Sequence, residues 1–157
     1  GKGCLLGWSD VLLNIFKLSN VGQVMIFCNR KTTVTYVTNI ISNLNISVGC
    51  IHSELTQEER NMTMEKFRNG DIKILVATDV LARGIDTVVH LVINYDIPQD
   101  VEQYVHRIGR TGRFGKEGSA LSIVSTEDRQ KMIEIISSYK LVLGNYEDFI
   151  KDNAKGI

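Results

Sequence analysis

Five short apolar runs recur along the chain, and their spacing limits the folds open to it. They are QVMIFC (23–28), SVGCI (47–51), IKILVAT (72–78), HLVINYD (90–96) and SALSIVS (119–125). Each is rich in Val, Ile or Leu and lacks polar alternation. That is the pattern of strands covered on both faces, as in a parallel sheet. Amphipathic stretches separate them. Over 31–44, Val34, Val37, Ile40, Ile41 and Leu44 make one apolar stripe, despite threonines that lower helix propensity. The segment 56–69 opens with the capping-box pair Thr56 and Glu59 and stops at Gly70, with Met62, Met64 and Phe67 as packing residues. Further helices are expected over 100–109 and over 126–140, the latter carrying Met132, Ile135 and Ile136. Strands alternating with helices give βαβ units, hence an α/β fold with a mainly parallel sheet.

With 157 residues, one domain is expected. An amphipathic stretch near 8–18 divides off residues 1–19 as a segment leaning on the body. Residues 20–145 form that body, and 146–157 a C-terminal extension whose end, KDNAKGI, is expected to fray. Charge is balanced, 18 basic against 18 acidic residues, which argues against a diffuse cationic coat but leaves room for a polyanion held by a few placed groups. Cys4, Cys28 and Cys50 are odd in number and form no CxxC, so neither a disulfide framework nor a zinc site is expected. No run reaches transmembrane length, and the start lacks a signal peptide's long apolar region, so no membrane partner and an intracellular setting, cytoplasm or nucleus, are expected. Monomer is the default state.

In open α/β sheets, ligands gather beyond the carboxyl ends of the strands. The polar clusters fall there: NRK after the first strand, HSE after the second, TDVLARGID after the third. In ATDVLARGID (77–86), Thr78 and Asp79 sit where free helix-start amides suit a phosphate oxygen, Gly84 permits a close approach, and Asp86 could accept from ribose hydroxyls. The alternative is that Asp79 caps a short helix and pairs with Arg83. In IFCNRK (26–31), Asn29, Arg30 and Lys31 suit a phosphate backbone or form a solvated turn. In TQEER (56–60), Arg60 reaches an anion or pairs with Glu54 or Glu59. The stretch HRIGRTGR (106–113) holds Arg107, Arg110 and Arg113 at three-residue intervals with glycines between. Guanidinium is planar, permanently charged and matched to phosphate oxygens, so the octet points to a phosphoryl group. The competing reading is a surface turn pairing with Asp96 and Asp100. His106 could serve acid–base chemistry or make a structural or interdomain contact. His52, His90 and His106 are not at metal-ligand spacings, and no HExxH or GxSxG occurs.

At these residues the chain resembles the C-terminal RecA-like domain of DEAD-box RNA helicases. IFCNRK is similar to helicase motif IV, TQEER to the family's QxxR, ILVATDVLARGID to motif V and YVHRIGRTGRFG to motif VI; FRNG and NYDIP match intervening patterns. All stand in family order across roughly 20–145. The resemblance implies a RecA-like, P-loop-NTPase-like three-layer sandwich. It implies that Arg110 and Arg113 act as arginine fingers on the γ-phosphate of ATP, and that Gly84 and Asp86 face the ribose. Asn29, Arg30, Arg60 and Thr78 would meet the RNA backbone, with Asp79 and Arg83 beside them. His106 would couple ATP to RNA across a cleft, and Arg107 would be mainly structural. Two positions depart from the family pattern: Ser53 follows His52 where Gly is frequent, and Arg30 stands where Thr is common. The chain contains no GxxxxGK[ST] loop, DEAD tetrapeptide or Q motif. The resemblance therefore places the main ATP and Mg²⁺ ligands in an N-terminal RecA-like domain, with protein cofactors as possible further partners, and implies that this chain alone is inactive. The alternatives are a non-catalytic module binding RNA or protein, or a DNA helicase of related fold.

Overall fold

The computed structural model describes residues 13–14, 22–79, 89–98, 100–108, 119–122 and 128–139. Strands β1 (Val24–Phe27), β2 (Val48–Ile51), β3 (Ile74–Ala77), β4 (Leu91–Asn94) and β5 (Ser119–Ser122) pair in the order β2-β3-β1-β4-β5, every pairing parallel. Helix α1 (Lys31–Asn43) follows β1, α2 (Gln57–Arg68) follows β2, α3 (Val101–Ile108) follows β4 and α4 (Arg129–Tyr139) follows β5. Each expected strand and helix is present; the bounds of β1 to β4, α1 and α2 are drawn in at one or both ends, and the ends expected at 109, 123–127 and 140 lie outside the described residues. The expected segment at 8–18 lies outside the described residues apart from 13 and 14, as do both terminal divisions.

The uninterrupted apolar runs resolve into two faces with a period of two. Val24, Ile26 and Cys28 of the first run, Ile74 and Val76 of β3, and Leu91 and Ile93 of β4 form one buried layer with Val34, Val37 and Ile41 of α1. Met25 and Phe27, Leu75 and Ala77, and Val92 form the other with Met64 and Phe67 of α2. The sheet is thus the middle of three layers. Met62, expected to pack, is instead 53% exposed. Two residues from Met64 is about 200° around a helix, so the two side chains cannot share a face.

Local chemistry sets the helix ends. Thr56 accepts from the Glu59 amide and the Glu59 side chain accepts from the Thr56 amide, the complete capping box. Gly70, at φ 84°, takes the left-handed position that ends α2, and Asn45, at φ 60°, does the same after α1. The threonines of α1 return their hydroxyls to the helix: Thr35 donates to the Lys31 carbonyl and Thr38 to that of Val34. Register aligns the strand ends in one row, Ile51, Ala77, Phe27, Asn94 and Ser122. The residues beyond that row are the polar clusters of the sequence.

Candidate nucleotide and nucleic-acid site

Arg107, near the end of α3, is 1% exposed. Its Nε and Nη2 donate to the two carboxylate oxygens of Asp79 at 2.7 and 2.6 Å. Nη2 also donates to Asn29 Oδ1 at 2.7 Å, and Nη1 to the Asp96 carbonyl at 2.6 Å and, at 3.4 Å, to Asn94 Oδ1. Arginine has five N–H donors, and all are used. The guanidinium also lies over the Phe27 ring, 5.4 Å from its centroid. Arg107 therefore joins the segments that follow β1, β3 and β4 at one buried point. Asn29 is held a second way: its amide N–H donates to Asp96 Oδ2 and its Nδ2 to the Ile97 carbonyl.

This hub gives the Asp79 carboxylate a partner 28 residues away in sequence. The same pairing supplies Arg107 with its anion from inside the chain. Any contact of Asp79 with a phosphate would come from its backbone. Of the acids weighed as surface partners for the octet, Asp100 accepts from the Gln103 amide at the start of α3.

Arg60 contrasts with Arg107. It lies in the first turn of α2, half-buried, and its Nε is buried with no hydrogen-bond partner among the described residues. Neither expected acid takes it. Glu59 is spent on the capping box, and Glu54 lies 2.6 Å from Lys31 Nζ. That hydrogen bond holds the Glu54 carboxyl below its usual range. A cation desolvated on one nitrogen and unpaired among the described residues is poised for an external anion. Arg30, exposed, is the N-cap residue of α1 but makes no side-chain cap, so it leaves the first α1 amides without that partner. Thr78 is half-buried at the end of β3.

His106 projects on the exposed side of α3, its Nε2 4.0 Å from Glu102 one turn back. Gly84, Asp86, Arg83, Arg110 and Arg113 lie outside the described residues. The sequence reading missed Asn94, fully buried, together with Ser122 and Tyr104, which bond to one another behind Arg107. A usable signal was present: a strand otherwise wholly apolar, LVIN, ends on a polar amide that a buried site must satisfy.

The model of the helicase conserved C-terminal domain matches residues 9–115, which include the whole of the octet. The chain belongs to that family, in its DEAD-box form. It is 43% identical over 133 residues to the ATP-dependent RNA helicase FAL1 of Kluyveromyces lactis, covering 84% of this chain and 33% of that protein. The isolated C-terminal domain of the DEAD-box protein Dbp5 superposes with a TM-score of 0.79 at 32% identity, covering 95% of this chain and 90% of that one. Dbp5 of S. cerevisiae bound to RNA and ADP BeF3 superposes with a TM-score of 0.80 at 32% identity, covering 94% and 42%. The fold is thus RecA-like, as the motifs implied. The chain spans about a third of the length of the curated relatives it matches.

Proposed function

We propose that this chain is the second RecA-like half of an ATP-dependent RNA helicase. It would supply arginine fingers and half of an RNA-binding surface to a composite site whose phosphate cradle lies on an N-terminal RecA-like domain. The observation that carries the reading is the saturation of Arg107. Its charge is spent on Asp79, so the reading assigns the nucleotide to Arg110 and Arg113, the two arginines that follow it, with Gly84 and Asp86 at the ribose. The Nε of Arg60, without a partner among the described residues, and Arg30, Asn29, Thr78 and Asp79 beyond the strand ends support a path for an RNA backbone read by phosphate rather than by base, to which the reading adds Arg83. His106, exposed on α3, fits a contact across the cleft between the halves.

The reading gives the phosphate cradle and the Mg²⁺ ligands to the N-terminal domain, which would carry the GxxxxGK[ST] and DEAD motifs that this sequence does not contain. In such a site the chain's own work is electrostatic: fixed guanidinium groups meet charge that develops as the γ-phosphate leaves. Alone, the chain is expected not to turn over ATP.

The test is Arg110→Ala and Arg113→Ala in the protein carrying both domains. Each should lower RNA-stimulated kcat by roughly 10³-fold or more. Full activity in either variant contradicts that finger.

A further inference from the structure

Behind Arg107 lies a second chain of hydrogen bonds, two of whose members, Asn94 and Ser122, stand outside motifs V and VI. Asn94 Oδ1 faces Arg107 Nη1, and Asn94 Nδ2 donates to Ser122 Oγ at 3.1 Å. Ser122 Oγ in turn lies 3.1 Å from Tyr104 Oη. Arginine can only donate, so the Asn94 amide must turn its oxygen to Arg107 and its N–H₂ to Ser122. The chain begins and ends on α3: Tyr104 and Arg107 are three residues apart, on one face, one turn from each other. Asn94 is 0% and Tyr104 5% exposed and Ser122 is half-buried, so the bonds form largely shielded from water, where leaving one unmade is costly.

Helix α3 has eight residues, too few to hold a helical setting without tertiary contacts. The loop through β4 and β5 fixes its rotation at two successive turns. Gly109 and Arg110 follow directly in sequence. We infer that Tyr104, Ser122 and Asn94 are positioning residues that set the rotation of α3, the helix whose sequence runs on to Arg110. In this role they act through the helix. The inference rests on the assignment of Arg110 as a finger.

The test uses the protein with both domains and the isosteric variant Tyr104→Phe, which removes one hydroxyl, with Ser122→Ala as a second, independent break in the loop. A positioning role predicts that kcat of RNA-stimulated ATP hydrolysis falls roughly fivefold in each, the equivalent of one lost hydrogen bond, while RNA affinity is unchanged. It predicts further that Tyr104→Phe adds nothing to the loss already caused by Arg110→Ala, because both act on one group. A lowered melting temperature with wild-type kcat overturns the positioning role. So does a loss that multiplies that of Arg110→Ala. If Arg110→Ala itself keeps wild-type kcat, the finger assignment has failed and the positioning role falls with it. A dead Arg110→Ala beside a fully active Tyr104→Phe leaves the finger standing and overturns the positioning role alone.

Discussion

Arg107 donates all five of its N–H groups within the chain, while the Nε of Arg60, also buried, has no partner among the described residues. The difference decides what each can do. A saturated guanidinium has no donor left for a ligand, and its removal is felt as lost structure. Arg107→Lys keeps the charge but forfeits the planar fork that grips Asp79, Asn29 and Asp96 together. Breaking a pair this buried should destabilise the domain by about 3 kcal/mol in urea unfolding. A loss below about 1 kcal/mol would mean the hub is dispensable. Arg60→Ala should do the reverse. With no internal bond to lose at Nε, stability should change little, and affinity for single-stranded RNA should drop severalfold with less effect on ATP affinity. Unchanged RNA binding contradicts the role given to Arg60. Residue chemistry of this kind was only half legible in the sequence. The octet announced its cations, but nothing in the spacing said that Arg107 would find its anion in Asp79 while Arg60 found none, because both outcomes depend on contacts distant in sequence.

At the scale of the element, local signals were the dependable ones. The Thr56–Glu59 pair, Gly70 after α2 and the Val34–Val37–Ile41 stripe all act within a turn or two of chain, and each appears in the structure as spaced in the sequence. Met62 shows the limit: α2 is amphipathic, but hydrophobicity alone did not say which of its methionines faces inward. The capping box is testable. Thr56→Ala should cost about 1 kcal/mol, seen as a lower urea midpoint at constant slope. Strand β2 carries a tighter constraint. A Cβ at Gly49 would lie 2.9 Å from both Ile72 Cδ1 and Thr63 Cγ2. Both are side-chain ends that can shift, so Gly49→Ala should cost about 1–2 kcal/mol by overpacking. Thr63→Ser removes one obstructing methyl and should recover part of the loss in the double variant. Strict additivity of the two changes would show that the clash is relieved elsewhere.

At the scale of the whole molecule, five parallel strands end in one row, and the hub of Arg107 gathers the segments beyond them. That architecture was legible because continuous apolar runs separated by helices admit few alternatives. The sheet order was not, since it depends on which strands pair across long connections. Nor did the apolar runs mark the Asn94–Ser122–Tyr104 loop, whose members belong to two strands and a helix. Cations stand beyond the strand ends among the described residues, the sequence contains no GxxxxGK[ST] loop, and the curated relatives are about two and a half times as long as this chain. The direct test of this half-site account is ATP hydrolysis, with and without single-stranded RNA, by this chain alone and by the same chain joined to an N-terminal RecA-like domain bearing the P-loop and DEAD motifs. The account predicts no turnover by the chain alone and RNA-stimulated turnover by the joined form. Turnover by the isolated chain, or a well-folded joined form that stays inactive with RNA present, would contradict it.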